Sequence, residues 1–252
     1  HADQTHNHLN HGTHLSHAPT PGRTHDTALT ILLVRSELKP MLALAIPVVT
    51  AEIGWIMMGI VDTIMVGPLG PAAIGAVGVG STLFMTGAVF GIGLLMGLDT
   101  FVAQSFGAGR IQECHRWLFN GLALGAMFSI PLMLAVSGVV LLLPWFGFHA
   151  EVLSLIRPYV ATVLWSALPL MLYAAFRRYL QAMNVVRPVM IALVTANLVN
   201  IAGNYVLIFG RLGFPEMGVV GSAWATVVAR VYLAVFLLLV VLHRERYYST
   251  GL

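Results

Sequence analysis

The sequence predicts an all-α membrane protein built as a bundle of six transmembrane helices. Three observations carry this. Of 252 residues, 58% are hydrophobic and only 9% charged, against roughly 25% charged in soluble domains. Six apolar runs approach or exceed the about 20 residues that a bilayer-spanning helix needs. Lysine and arginine fall almost wholly in alternate gaps between those runs. A single cysteine, Cys114, leaves no internal disulfide and no cysteine-based metal cluster. No basic patch interleaved with aromatics suggests nucleic acid as a partner. A chain that opens on His1 is expected to be a processed, trimmed or partial product.

Residues 1–27 are polar and rich in histidine, with Gly12, Pro19, Pro21 and Gly22 to break a helix, and are expected to be disordered. They lack the apolar core of a secretory leader. His6, His8, His11, His14 and His17 are of a type that binds zinc, nickel or copper. A tail containing Gly and Pro imposes no ligand geometry, so solvated low-complexity sequence is the preferred reading. Residues 28–40, "ALTILLVRSELKP", form a short amphipathic lead-in suited to the membrane surface.

The six-helix lobe is expected over 41–242, with spans at 41–66, 74–106, 117–143, 159–176, 188–209 and 218–242. Each gap carries Gly, Pro or charge: "GPLGP", "GAGRIQECHR", "PWFGFHAEVLSLIRP", "RRYLQAMNVVRP" and "GRLGFPEMG". Pro47, Pro131 and Pro169 lie within spans, where neighbouring helices can satisfy the freed carbonyls, and are expected to kink them. Residues 243–252 are a cytoplasmic tail or a linker. One side of the membrane receives Arg23, Arg35, Lys39, Arg110, Arg116, Arg177, Arg178, Arg187, Arg244 and Arg246; the other receives Arg157 and Arg211. Ten against two places both termini in the cytoplasm, with a bacterial inner (plasma) membrane as the expected location. Small residues four apart, as at Gly87 and Gly91 or Gly121 and Gly125, suit close helix packing in lipid.

Ionisable residues inside a bilayer mark function or pair with one another. Four fall inside the spans: Glu52, Asp62, Asp99 and Arg230. With the first span running outward, Asp62 lies about 7 Å from its outer end at 1.5 Å per residue. Span five carries Asn197, Asn200 and Asn204 on one helical face, with Asn204 at a depth similar to Asp62. Span six carries Ser222, Thr226 and Arg230 at spacing four. A carboxylate, amides and hydroxyls can thus converge in the outer half of one bundle. Such oxygens bind Na⁺ or hydrogen-bond a protonated acid. Glu52 and Arg230 are both deeper and are candidates for a buried ion pair. Asp99, near the inner end of span two, is either a gate contact to a cytoplasmic arginine or an interface residue.

Five segments in order resemble one known family: "IPVV…VDTIMVG", "GLDTFVAQSFGAG", "RRYLQAMNVVRP", "NLVNIAGNYVLIFG" and "GVVGSAWATVVAR". Over residues 38–242 the chain resembles the multidrug and toxic compound extrusion (MATE) family of cation-coupled exporters. The resemblance implies the first lobe of a transporter with twelve spanning helices in two six-helix lobes around a central cavity. It implies a cation site at Asp62, Asn200, Asn204 and Thr226, and a missing second lobe as partner. Some members carry aspartate where this chain has Asn204, so Asp62 is the only acid in the matched set. Amphipathic, often cationic organic compounds are the implied substrates, exchanged for H⁺ or Na⁺ across the lipid bilayer, with no cofactor.

Rival readings are a flippase for lipid or polysaccharide precursors from the same superfamily, and an inactive half-length fragment or membrane scaffold. The flippase would favour a more cationic cavity, and three buried acids to one arginine argue against it. An enzyme ranks last, because the spans hold no paired His, Ser–His or Glu-x-x-His arrangement.

Overall fold

The structure, a computed structural model, describes residues 23–250. The histidines of the tail, His6 to His17, lie outside the described residues. The chain divides into two units, residues 1–43 and 44–252. The described part of the first is the opening stretch of helix α1 (Arg23–Val66), which takes in the expected lead-in. The second unit is the bundle, and everything below concerns it.

Six segments among the described residues are long and apolar enough to cross a membrane: Met41–Leu69, Pro71–Gly107, Ile111–Phe146, Ala150–Ala182, Arg187–Ile208 and Gly218–Glu245. They are built from α1, α2 (Pro71–Leu95), α3 (Gly97–Gly107), α4 (Ile111–Leu142), α5 (Ala150–Val163), α6 (Ala167–Ala182), α7 (Arg187–Ile208) and α8 (Gly218–Thr250). Helix α8 thus runs on through Arg244 and Glu245 into the residues expected as a tail or linker.

Two expected gaps are largely helix. The second half of "PWFGFHAEVLSLIRP" opens α5, and its buried residues Ile156, Tyr159, Val160 and Val163 show why. Spaced three or four apart, they form one apolar face that packs inward. "RRYLQA" likewise closes α6 rather than leaving it, which puts Arg177 and Arg178 on a helix. That helix ends in a left-handed residue, Asn184 (φ 59°). The Val185 N–H bonds back to the Leu180 carbonyl at 2.8 Å, the helix-closing geometry that Asn tolerates better than most residues.

The prolines behave differently from one another. Helix runs unbroken past Pro47 and Pro131. Before Pro169 the chain tightens into a 3-10 turn at Leu164–Ser166. A proline ring clashes with the carbonyl four residues earlier, here that of Trp165. Span two breaks at Met96, in a Gly-rich stretch where Met96 N–H bonds to the Gly93 carbonyl at 3.1 Å.

Helix α8 packs on α7, α6 and α5, and α2 packs on α5, α4 and α6. The small residues make this possible. Gly87 faces Leu132 and Val136, Gly91 faces Phe128 and Met171, and Gly121 faces Leu98. The packing expected of these glycines is what the bundle shows. Helix α1 meets α7 where Gly54 lies against Leu193. Its Ile46, Val49, Ile53, Ile60 and Ile64 are exposed on the bundle's outside, as lipid or a second protein surface would require.

Candidate cation site and cavity

Asp62 is the meeting point of three helices. It stands near the end of α1 and is 5% exposed. Asn200 and Asn204, one turn apart on α7, both turn their amides toward it. Asn200 Nδ2 donates to Asp62 Oδ1 at 2.9 Å and Asn204 Nδ2 donates to the same oxygen at 2.7 Å. Thr226 Oγ1, on α8, donates to Asp62 Oδ2 at 2.7 Å. Asn204 Nδ2 also reaches Asn200 Oδ1 at 3.2 Å, which ties the two amides to each other. Both asparagines are fully buried. The structure therefore brings together Asp62, Asn200, Asn204 and Thr226, three donors on one carboxylate.

The third asparagine of the face is elsewhere. Asn197 Nδ2 donates to the Gly54 and Leu193 carbonyls, both at 2.8 Å. It lies a turn deeper than Asn200, where α1 presents a glycine whose missing side chain leaves its carbonyl in reach. Ser222 is buried one turn above Thr226, and its backbone carbonyl accepts a second contact from Thr226 Oγ1 at 3.2 Å.

The expected Glu52–Arg230 pair is corrected. Glu52 is bonded to Arg177, whereas Arg230 NH1 donates to Ser166 Oγ at 2.6 Å and its guanidinium lies 4.6 Å from the Phe84 ring centre. Axial distance explains the change. Glu52 is ten residues from Asp62, about 15 Å along α1, while Arg230 is four from Thr226, about 6 Å along α8. The two charges thus sit at different depths. Asp99 does meet an arginine: Arg178 NH1 donates to its Oδ2 at 2.9 Å. Glu52 and Asp99 are each matched by one of the adjacent arginines on α6.

A cavity of about 450 Å³ opens beside Asp62. Trp55, Met58, Phe84, Tyr159, Thr226 and Arg230 are among the residues that line it. Its walls are mostly apolar, with Ser81, Thr82 and Thr86 adding hydroxyls from α2. Sequence reasoning missed Phe84, Tyr159 and Ser166. Phe84 and Tyr159 look like ordinary span residues, but Ser166 is an isolated polar residue in an apolar run and carried a readable signal. The count of three acids to one arginine does not describe this cavity either. Its lining holds one of each, Asp62 and Arg230, because Glu52 and Asp99 are paired with arginines of α6. A smaller cavity of about 150 Å³ lies against Glu52, Arg177 and Arg178, and Trp55 borders both.

The MatE family model matches residues 47–206, which takes in α1 from Pro47 through most of α7. The chain belongs to the MatE family. It is 34% identical over 193 residues to a probable multidrug resistance protein NorM of a Synechococcus strain, covering 77% of this chain and 42% of that protein. It is 29% identical over 218 residues to the multidrug resistance protein NorM of Photobacterium profundum, covering 86% of this chain and 48% of the relative. A crystal structure of a MATE in a bent conformation superposes with a TM-score of 0.66 at 27% identity, over 78% of this chain and 43% of that one. The chain thus spans somewhat under half the length of the relatives it matches. Its six-helix bundle corresponds to one lobe of a MATE transporter.

Proposed function

We propose that this chain is the first six-helix half of a cation-coupled antiporter that exports amphipathic organic compounds. It sits in the plasma membrane with both termini in the cytoplasm and works with a second six-helix lobe. The relatives are multidrug resistance proteins of about twice the length matched here, which supports an exporter and argues against an enzyme.

The observation that carries the reading is the buried Asp62 carboxylate with its three side-chain donors. A charge at the centre of a spanning helix costs roughly 2.5–3.5 kcal/mol on insertion scales. Asp62 is off-centre and hydrogen-bonded, so its cost is smaller but real. It is retained because an ion can bind it in one conformation and leave it in another. In the arrangement described, the asparagines offer N–H and Thr226 offers O–H, a donor set that complements an ionised carboxylate. A proton is the simpler occupant: Thr226 needs only to rotate its hydroxyl to accept from a protonated Asp62. A sodium ion would require the amides to turn and present their oxygens instead. Proton coupling is therefore favoured over sodium coupling.

Efflux from proteoliposomes carrying the lobe with its second half tests this. An imposed proton gradient should drive export and a sodium gradient alone should not; equal export under sodium would overturn the proton assignment. In the same assay Asn204→Ala should weaken export without abolishing it, since Asn200 and Thr226 still hold the carboxylate. Complete loss with Asn204→Ala would show that this amide does more than support Asp62.

Topology is checked by cysteine labelling. Cys114 is fully buried, its thiol directed at the Val102 carbonyl at 3.8 Å, so it reports poorly and Cys114→Ser is the background. On that background Glu216→Cys, exposed between α7 and α8, should label from outside, and Gln112→Cys, exposed at the start of α4, from inside. The reverse pattern would contradict the orientation drawn from the ten-to-two bias.

A further inference from the structure

A groove of about 660 Å³ lies between the start of α7 and the last turns of α8. Its level on α7, at Pro188, is about 24 Å from Asn204 at 1.5 Å per residue, so it is remote from Asp62. One wall is a stripe of α8: Phe236, Leu239, Val240, His243 and Arg244. Their spacing of three, four, seven and eight from the first puts them on one helical face. Val185 and Pro188, where the chain enters α7, form the other wall. Along the stripe the first three residues are apolar and the last two are basic types, over about 12 Å of helix. Leu239 is 60% exposed, so the bundle does not close the groove. Arg187, the residue before Pro188, is exposed at the same end.

Charge says what fits it. Among the described residues no acid lines the groove. The next acid along α8, Glu245, is turned to α4, with Oε1 3.6 Å from His115 Nε2. Arg244 borders both the groove and the small pocket beside Glu245. A guanidinium stays charged and presents a planar fork that matches a phosphate, and even a neutral imidazole adds one N–H donor. An apolar trough with a positive rim complements an amphiphile with an anionic head. A zwitterionic head would bring an ammonium to a rim with no carboxylate to receive it, and an apolar helix would leave the rim unmatched. Basic pockets between spanning helices on the cytoplasmic side seat anionic lipid headgroups, which that leaflet supplies.

We propose that this groove binds one anionic phospholipid, with an acyl chain along Phe236, Leu239 and Val240 and the phosphate at Arg244 and His243. Only the membrane orientation is borrowed from the proposed function, and it sets the leaflet rather than the binding. A lipid seated there joins the start of α7 to the end of α8, the two helices whose opposite ends carry Asn204 and Thr226.

Native mass spectrometry of the full chain in detergent micelles tests it. The chain is titrated with palmitoyl-oleoyl phosphatidylglycerol or with phosphatidylcholine of the same chains. The parent should retain one phosphatidylglycerol and favour it over phosphatidylcholine by about fivefold or more, the scale of one basic residue beside an anionic headgroup. Arg244→Gln should remove most of that preference. Arg116→Gln, at an exposed site on α4 outside the groove, should leave it unchanged. If Arg244→Gln does not fold, the double variant Arg187→Gln with His243→Gln, both at exposed positions, should lower the preference and decides the matter. sn-Glycerol 3-phosphate, which has the phosphate without the chains, should not displace the lipid. Equal affinity for the two lipids, or the parent's preference in the deciding variant, would overturn the proposal. So would an equal loss with Arg116→Gln, which would mean general surface charge. Displacement by glycerol phosphate would make the groove a free-phosphate site, and a lipid-free dimer would give it to a second copy of the chain; either result overturns it too. The antiporter reading stands or falls on ion movement, which lipid retention does not report, so the two failures are distinguishable.

Discussion

Replacing Asp62 by asparagine should abolish ion-driven efflux while leaving the protein folded and able to bind substrate. The substitution keeps the size and planarity of the side chain. Its carbonyl oxygen can still accept from Asn200 and Asn204, now at 2.9 and 2.7 Å from Asp62 Oδ1. Thr226, which donates at 2.7 Å to the other oxygen, would face an amide and can rotate to accept from it. Nothing in the packing is disturbed, and the burial cost of a charge is removed. What is lost is the group that changes its occupancy. Export from proteoliposomes under a proton gradient should therefore fall to the background of protein-free vesicles, with normal amounts of protein in the membrane. Export at the parent's level would reduce Asp62 to a structural residue.

The second large effect is expected at Gly221, on α8 one residue before Ser222. A Cβ there would meet the Leu207 carbonyl carbon and oxygen at 2.5 Å and the Ile208 nitrogen at 2.8 Å. These are backbone atoms of α7 and cannot swing aside as a side-chain tip would. Overpacking of this kind costs about 1–3 kcal/mol and sometimes more. Gly221→Val should force α7 and α8 apart about one turn from the level where Asn204 and Thr226 converge on Asp62. The expected result is a marked loss of detergent-stable protein and, in whatever survives, loss of ion dependence. The turn joining the two helices has a matching constraint. Gly210 has φ +63°, and a Cβ on it would come within 2.7 Å of the Glu216 nitrogen. A variant Gly221→Val with the parent's thermal stability would contradict this close approach.

Much of the site was legible because helix periodicity converts sequence spacing into direction. Asn200 and Asn204 share a face by their spacing of four, and both reach Asp62. Thr226 fits the same level because α8 runs opposite to α7. Neighbour identity was not legible. Glu52 and Arg230 look like natural partners in a list of buried charges, but whether they meet depends on depth and on which helices touch. Arg177 and Arg178 were counted as loop residues, so Arg177 was not weighed as a partner for Glu52, and the cytoplasmic arginine expected for Asp99 was not singled out as Arg178. Asn197 shared the face of the other asparagines and was diverted by a local accident of α1, the bare carbonyl at Gly54.

The same limits hold for the fold. Span lengths follow from apolar runs, so six spans emerged from hydropathy. The start of α5 did not, because "EVLSLIRPYV" mixes charges with its apolar face and reads as a gap when residues are merely counted. The break at Met96 has no proline to announce it. Pro47 and Pro131 leave the helix of α1 and α4 uninterrupted, and only Pro169 follows a 3-10 turn.

The most direct test of the account is proton movement at Asp62 itself. Proteoliposomes holding the lobe and its second half are loaded with a pH-sensitive dye, and substrate is added to drive exchange with no imposed ion gradient. The account predicts a substrate-dependent proton flux in the parent, opposite in direction to the substrate, and none with Asp62→Asn. A flux in Asp62→Asn equal to the parent's would contradict it.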